Sequence, residues 1–210
     1  MTGQSQLHAV PATPAMSWEP PKDGLELNLG CGKNPEPGWI NVDCVAGPGV
    51  DVVAELDNGW PLPWATDSVK KIRMIHVFEH LKNTLLLMEE LHRVAKPNAI
   101  MLLKLPYGSS DAAWEDPTHV RPYFLHSFGF FSQPYYARAD YNYRGDWQPV
   151  QIELAVDKSL EGTDPQELVE RVFALRNVVS EMTVILKCVK PIREPIQANQ
   201  FYPDVKFIYL

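Results

Sequence analysis

Two histidines and a glutamate, His76, Glu79 and His80, stand close together in the sequence. On a helix, histidines four residues apart project from one face, and some zinc peptidases bind their metal in this way. This spacing offers a zinc hydrolase as one hypothesis for the chain. Zinc needs at least a third protein ligand, which His119 or Asp116 could supply.

The residues before this segment weaken the zinc hypothesis. The run VKKIRMI, residues 69–75, has the pattern of a buried strand, so His76 ends a strand and the two imidazoles need not share a face. We therefore expect no bound metal. For His80 we weigh a hydrogen-bonded structural role against catalysis, and for Glu79 a stabilising position at the positive end of a helix dipole.

A second group of reactive side chains follows in the segment EDPTHVRPY, residues 115–123. One interpretation is an Asp-Pro turn in which Asp116 and Thr118 bond their own backbone. The other is an acceptor site in which His119 acts as general base and Arg121 clamps a carboxylate or phosphate. We favour the acceptor site.

The strongest signal is a glycine turn at the end of an apolar run, in LNLGCG, residues 27–32. Gly30 and Gly32 let the backbone turn sharply and let a ligand approach without an intervening Cβ atom. The next apolar run ends at Asp43. A carboxylate at that place in an open α/β sheet accepts hydrogen bonds from ribose hydroxyls.

The ribose-bearing ligand is expected to lack phosphates. A dinucleotide site uses a third glycine, a helix N-terminus under the pyrophosphate and an acid about 20 residues further on. Here the third glycine is absent, Asp43 comes too early, and residues 33–38 leave little room for a helix. These features weaken a nicotinamide dehydrogenase as an interpretation.

The elements that position these residues follow from apolar runs and turn signals. Five runs are typical of buried strands, at residues 25–29, 39–43, 50–54, 69–75 and 99–105. Between the last two, residues 83–96 carry apolar side chains at helical spacing and stop at Pro97. Strands that alternate with helical segments predict a parallel α/β sheet.

The region after the fifth strand is rich in aromatic residues. Residues 107–147 contain 12 of the 22 aromatic side chains of the chain. We interpret this region as a mixture of a second small core and an acceptor pocket or lid, since ligand pockets are commonly lined by aromatic side chains. Beyond it, alternating runs at residues 150–156 and 182–189 flank a predicted helix at 164–178 and are expected to pair at one edge of the sheet.

The chain divides into three parts on this interpretation. Residues 1–22 form a flexible N-terminal arm, residues 23–190 form one domain that contains the aromatic insert at 106–147, and residues 191–210 form a tail that packs on the domain.

Composition narrows the class of protein further. Lys and Arg total 19 and Asp and Glu total 26, so the net charge is −7, and nucleic acid is a poor default partner. Three cysteines without close pairs favour a reducing compartment over a disulfide framework. Without a long apolar run or a leader pattern, we expect a cytoplasmic protein that does not enter the membrane, as a monomer or homodimer.

Taken together, these segments resemble one known family. LNLGCG and GWINVD, followed by HVFEHL and DPTHVR, are similar to segments in a subgroup of the class I S-adenosylmethionine (SAM)-dependent methyltransferases. The resemblance covers roughly residues 24–131. It implies a Rossmann-like, mostly parallel α/β sheet of seven strands with flanking helices and an antiparallel edge strand. It also implies SAM as cofactor and S-adenosylhomocysteine as product.

The resemblance also implies roles for matching residues. The cofactor-binding residues predicted in this way are Asn28, Gly30, Cys31, Gly32, Asp43, Glu55, Leu56 and His76. The glycines would lie beneath the methionine part of SAM, the carboxylate after the second strand would hold the ribose, and the two residues after the third strand would lie along the adenine. His76 would contribute backbone near the sulfur. The chain departs from the family in having Asn28 where Asp is common and Asn34 where a third glycine is common, and its first crossover helix is shortened to a loop.

The leading hypothesis is a SAM-dependent methyltransferase for a small-molecule or glycan-type, sugar-like acceptor. The predicted catalytic residues are His119, His80 and Asp116, and the predicted acceptor-binding residues are Arg121, Thr118, Tyr107 and Trp114. Two alternatives stay open, a SAM-binding protein without transferase activity and the zinc hydrolase.

Overall fold

The computed structural model describes residues 21–210, so nearly all of the predicted N-terminal arm, residues 1–22, lies outside it. The strands of the described part are β1 (Leu25–Leu29), β2 (Ile40–Asp43), β3 (Val52–Val53), β4 (Val69–Ile75), β5 (Ala95–Pro106), β6 (Trp147–Val156), β7 (Val179–Cys188) and β8 (Asp204–Tyr209). They form one sheet in the order β3-β2-β1-β4-β5-β7-β6-β8.

The strand directions confirm the predicted fold class. Strands β1 to β5 are parallel to one another. Strand β7 is antiparallel to both β5 and β6, and β8 is parallel to β6. The described residues thus contain eight strands where seven were predicted, because the tail adds β8 beside β6. The antiparallel strand is present, two positions in from the β8 edge.

One face of the central strands is fully buried, and the other is only partly covered. Leu27, Leu29, Met101 and Leu103 lie on the buried face and are fully buried. Arg73 and Lys104 lie on the opposite face and are half-buried, so the strands alternate between buried apolar and half-exposed polar side chains. Between β1 and β2 the described chain has turns and no helix, as residues 33–38 predict.

The helices are few. They are α1 (Thr84–Val94), α2 (Ala112–Glu115) and α3 (Pro165–Ala174), with 3-10 helices at Phe78–His80, Ser127–Phe131, Gln133–Ala137, Lys158–Leu160 and Gln197–Asn199. The start of α3 follows from its sequence, since the Asp164 side chain accepts hydrogen bonds from the first turn and Pro165 stands at the first helical position. Among the helices of residues 21–210, none has the length and apolar character needed to cross a membrane.

The aromatic insert packs on the 3-10 helix Phe78–His80 and extends the core of the sheet, so the prediction of a second small core is wrong. The ring of Phe78 lies 5.2 Å from that of Tyr123, 6.0 Å from that of Phe128 and 5.6 Å from that of Phe131. Aromatic pairs at these separations add to the free energy gained from burial alone. The cluster therefore fixes the turn that follows β4 against the loop that follows β5.

A buried ion pair joins the insert to the tail. The Asp146 side chain is fully buried, and its two oxygens accept hydrogen bonds from Nε and Nη2 of Arg193, each at 2.8 Å. The same carboxylate accepts bonds from the Gln133 N–H at 3.2 Å and the Ser132 hydroxyl at 3.3 Å. One carboxylate thus ties residues 132–133 of the insert to residue 193 of the tail.

We predict that Arg193→Ala lowers the free energy of unfolding by about 3–5 kcal/mol, because it leaves the Asp146 carboxylate buried without its counter-charge. Urea unfolding followed by circular dichroism measures the change. The matched control is Arg171→Ala, which removes an exposed pair with Glu167 on α3 and should cost no more than about 0.5 kcal/mol. Equal losses in the two variants would contradict a special role for the buried pair.

Candidate functional site

The carboxyl ends of the parallel strands define one edge of the sheet, and the predicted site residues collect there. The order of the strands reverses between β1 and β4, since β2 and β3 lie on one side of β1 and β4 and β5 on the other. Ligands of open α/β sheets bind outside the strand ends at such a point. The glycine turn follows β1, Asp43 ends β2, and His76 follows β4.

Gly32 and Asp43 meet at this edge. The N–H of Gly32 donates a hydrogen bond of 2.8 Å to Oδ2 of Asp43, and the N–H of Val45 donates one of 3.1 Å to Oδ1. Partial burial works to raise the pKa of the Asp43 carboxyl, but these hydrogen bonds outweigh it and hold that pKa below its usual value. The carboxylate is therefore charged and can accept further hydrogen bonds.

The two glycines of the turn have different surroundings. Gly32 has a φ of +52°, and a Cβ placed on it would meet no atom within 4 Å, so its outer face is open. Gly30 has a φ of +69°, and a Cβ placed on it would lie 2.3 Å from Cγ2 of Val77. Gly32 is therefore the glycine that a ligand can approach, whereas Gly30 lets the segment after β4 pack on the turn.

A buried amide that the sequence analysis overlooked holds the loop between β1 and β2. Asn41 is 6% exposed. Its Oδ1 accepts bonds from the Glu36 N–H at 2.6 Å and from Asn28 Nδ2 at 2.9 Å, and its Nδ2 donates to the carbonyls of Glu36 and Trp39, both at 3.1 Å. These bonds satisfy backbone groups that a crossover helix would otherwise pair. The signal in the sequence was a polar residue inside the short apolar strand INVD.

Arg73 completes this network from β4. Its Nη1 lies 2.6 Å from a carboxylate oxygen of Glu36, and its guanidinium carbon lies 5.3 Å from the ring centre of Trp39. Its Nε donates to Oδ1 of Asn28 at 3.2 Å. Both Nδ2 and Oδ1 of Asn28 are thus hydrogen-bonded within the protein. Few hydrogen-bonding positions of this side chain are therefore left for the predicted contact with a cofactor.

The remaining predicted cofactor residues differ in accessibility. Cys31 is buried, and this burial, with the nearby charge of Asp43, raises the pKa of its thiol. Leu56 lies in the core, while Glu55 is exposed and accepts a hydrogen bond of 3.0 Å from the Asp57 N–H. All three cysteines of the chain, which lie within residues 21–210, are free thiols.

His76 lies between two carboxylates, those of Glu181 and Glu79. It follows β4 with a φ of +53°, and its Nε2 lies 2.8 Å from a carboxylate oxygen of Glu181 on β7. Its Nδ1 is 3.4 Å from Oε1 of Glu79. The structure therefore does not gather His76, Glu79 and His80 into the close group that their spacing suggested.

The compact grouping is Glu79, His80 and His119. One ligand atom from each of the three lies within 4.8 Å of the others, and the rings of His80 and His119 meet edge to face at 4.8 Å. Glu79 is only 3% exposed, and neither carboxylate oxygen has a hydrogen-bond partner among the described residues. Glu79 lies in the first turn of a helix, as predicted, but this helix is a single 3-10 turn and the Glu79 side chain is buried. A role of Glu79 at a helix dipole stays a prediction.

The loop after β5 is anchored to the same turn. The N–H of Val120 donates a hydrogen bond of 2.8 Å to the carbonyl of Glu79. Nδ1 of His119 lies 3.1 Å from the carbonyl of Ala113, which can only accept, so Nδ1 is the protonated nitrogen of the neutral ring. Nε2 of His119 then faces Oε1 of Glu79 at 4.0 Å.

A chain of hydrogen bonds from Asp116 through Thr118 determines the tautomer of His80. Hydrogen bonds from Thr118 hold the pKa of the Asp116 carboxyl below its usual value, so this carboxylate is ionised and accepts the Thr118 hydroxyl at 2.6 Å. The hydroxyl has a single proton, so its oxygen accepts from Nδ1 of His80 at 2.9 Å. Nε2 of the neutral His80 ring therefore keeps its lone pair. The Asp-Pro turn, in which Asp116 accepts hydrogen bonds from the N–H and the hydroxyl of Thr118, therefore also orients His80.

An open cavity of about 380 Å³ adjoins this loop. Most of its walls are aromatic, and they are formed by Leu85, Arg121, Tyr123, Phe124, His126, Ser127, Phe130, Phe131, Tyr136 and Tyr141. Burial raises the pKa of the Tyr123 hydroxyl to about 12, so it keeps its proton at neutral pH. Arg121 brings a positive charge to the wall of this cavity.

The two predicted aromatic contacts lie outside the cavity walls. Tyr107 is 2% exposed and belongs to the core beside Tyr123. Trp114 is 62% exposed and its indole N–H donates to the carbonyl of Gly108 at 2.9 Å. Trp114 is thus largely exposed to solvent, whereas Tyr107 packs in the core beneath the loop that follows β5.

Comparisons with known proteins place this arrangement in a structural class. No protein-family model matches the chain, and no curated protein matches it. Several solved structures do match the chain. A SAM-dependent methyltransferase from Archaeoglobus fulgidus superposes with a TM-score of 0.58 and 17% identity, over 79% of this chain and 86% of that one.

Two further structures agree. The YcgJ protein from Bacillus subtilis has a TM-score of 0.51 and 14% identity, over 82% of this chain and 94% of that one. A SAM-dependent methyltransferase from Thermotoga maritima has a TM-score of 0.51 and 12% identity, over 80% and 83%. The chain therefore has the Rossmann-like fold of SAM-dependent methyltransferases, which confirms the fold that the sequence predicts.

We predict that Gly30→Ala destabilises the protein more than Gly32→Ala. Both changes place a Cβ on a residue with positive φ, at about 1–2 kcal/mol each. Only Gly30→Ala adds an overlap with Val77, which should bring a further loss of about 1–3 kcal/mol. Urea unfolding of the two variants measures the difference, and equal midpoints would show that Val77 moves aside without cost.

Proposed function

We propose that the protein is a SAM-dependent methyltransferase that acts on a small-molecule or sugar-like acceptor. The observation that carries this proposal is the contact between Gly32 and Asp43, which sets an open glycine turn beside a charged carboxylate. This contact joins the ends of β1 and β2, next to the reversal point between β1 and β4, in a sheet whose fold is that of SAM-dependent methyltransferases. A ribose diol fits such a carboxylate.

The loop between β1 and β2 supports a cofactor without phosphates. A dinucleotide site of the usual kind sets its pyrophosphate on the N-terminus of the helix that follows the glycine turn. Residues 30–39 form turns instead of this helix, so the loop does not aim a helix dipole at the site. SAM has a ribose and a positively charged sulfonium, and it needs no such dipole.

The residues proposed to hold SAM are arranged along the strand ends. Gly32 would lie against the methionine part with Gly30 shaping the turn, Asp43 would bind the ribose, and Glu55 with Leu56 would flank the adenine. His76 would offer backbone atoms near the sulfur. When bound, SAM supplies a methyl group that is already activated for in-line displacement, so the chain has mainly to align an acceptor and exclude water.

The acceptor is proposed to enter from the side of the aromatic insert. The cavity of about 380 Å³ has the size and apolar lining of a small-molecule site, and Arg121 at its wall would bind a carboxylate or phosphate on the acceptor. His119 is the first candidate to take a proton from an acceptor hydroxyl and His80 the second, since each ring in its neutral form has an Nε2 lone pair.

The experiment that tests the proposal is titration calorimetry with SAM and with S-adenosylhomocysteine. We expect micromolar binding by the native protein and a loss of about 10- to 100-fold in Asp43→Ala, which removes hydrogen bonds to a charged group. The control is Asp157→Ala, which removes an exposed carboxylate that caps the 3-10 helix Lys158–Leu160 and should leave both affinities unchanged.

Two outcomes would contradict the proposal. If neither ligand binds the native protein, the cofactor is wrong. If SAM binds but an acceptor panel of hydroxylated and sugar-like compounds yields no S-adenosylhomocysteine, the protein binds SAM without transferring its methyl group. Thermal melts of the native and Asp43→Ala proteins show whether a loss of binding reflects unfolding of the turn.

A further inference from the structure

We propose that Glu79, His80 and His119 form a binding site for a divalent transition-metal ion of the zinc type. The three side chains come from the turn after β4 and the loop after β5, and their ligand atoms lie within 4.8 Å of one another. Nitrogen and oxygen ligands at about 2.0–2.2 Å from a tetrahedral zinc ion lie roughly 3.3–3.5 Å apart. Small side-chain rotations would therefore close the site.

The carboxylate of Glu79 is the first reason for a cation. The residue is 3% exposed, and both oxygens lack a hydrogen-bond partner among residues 21–210. A buried carboxylate without partners is strongly disfavoured, and such groups in proteins are normally paired, hydrogen-bonded or bound to a metal. A cation between Glu79 and the two histidines would satisfy it.

The orientation of both histidines is the second reason. Nδ1 of His80 donates to the oxygen of Thr118, whose hydroxyl is bound to Asp116. Nδ1 of His119 donates to the carbonyl of Ala113. Histidines that bind metal almost always donate their other ring N–H to a carboxylate, a carbonyl or water, which fixes the tautomer. Here both rings are held in the tautomer that leaves Nε2 free to bind, and Nε2 of His119 lies 4.0 Å from Oε1 of Glu79.

The rival explanation is a simple ion pair between Glu79 and a protonated His76. Their closest atoms are 3.4 Å apart, beyond a good charge-assisted hydrogen bond. Nε2 of His76 is already engaged with Glu181 at 2.8 Å, and Lys104 also pairs with Glu181. His76 is therefore held towards β7, and it is not counted as a ligand of the proposed site.

The ligand set indicates the kind of metal. Two imidazoles with one carboxylate suit zinc, iron(II), cobalt(II) or nickel(II), whereas magnesium and calcium favour oxygen ligands throughout. Three protein ligands leave a coordination position open for water or an oxygen of a bound molecule. Metal binding can be measured without methyl transfer, but it uses the same Nε2 lone pairs that the proposed general base needs. In the metal-bound protein the metal would therefore replace the histidines in that role. One consequence rests on the proposed function. An acceptor bound at the open position would react through a hydroxyl group, because a metal makes the proton of that group easier to remove.

The test is a zinc titration of the full chain after treatment with a chelator, without SAM, followed by calorimetry and by metal analysis of the dialysed protein. We expect one zinc ion per chain, and loss of stoichiometric binding in Glu79→Gln, His80→Ala and His119→Ala. His76→Ala and His126→Ala are matched controls that should keep one ion per chain. Circular dichroism checks that each variant is folded.

A further variant separates a built site from chance binding. Thr118→Val removes the hydroxyl that orients His80 without removing a ligand, so zinc affinity should fall about 10- to 100-fold. The proposal is overturned if the native protein binds no zinc, if His76→Ala abolishes binding, or if the Thr118→Val affinity is unchanged. Because SAM calorimetry with Asp43→Ala reports on a different part of the strand edge, failure of either proposal leaves the other measurable.

Discussion

The buried amide of Asn41 is the interaction on which the shape of the strand edge depends. It pairs the backbone groups of Glu36 and Trp39 and the side chain of Asn28, so the chain can return from β1 to β2 without a helix. The short return keeps the glycine turn beside the end of β2, within reach of Asp43. A polar contact inside the sheet thereby determines which ligands the edge can accept.

The position of the group formed by Glu79, His80 and His119 depends on packing of the aromatic insert. The rings around Phe78 hold the turn after β4 against the insert, and this packing turns Glu79 away from solvent. The hydrogen bond from Val120 to Glu79 brings the loop after β5 over the same turn. The insert thus acts as a wall for a cavity and also as the support that brings His119 to His80.

Much of the fold could be predicted because its signals are local. The runs that became β1, β2, β4 and β5 are apolar and bounded by turns, and the glycine turn is visible in six residues. The eighth strand was missed, since Asp204–Tyr209 alternates polar and apolar residues weakly and its pairing with β6 is long-range. The grouping of Glu79 with His119 could not be predicted from spacing, because 39 intervening residues have to fold before the two side chains meet.

The position of β7 has a consequence for the order in which the chain folds during synthesis. β7 lies between β5 and β6 but follows both in the sequence. One long side of β5 and the whole of β6 therefore have no partner strand until residues 179–188 have left the ribosome. Unpaired apolar strand edges are prone to association, so the nascent chain passes through a stage in which a chaperone that covers the β5 edge would favour correct assembly.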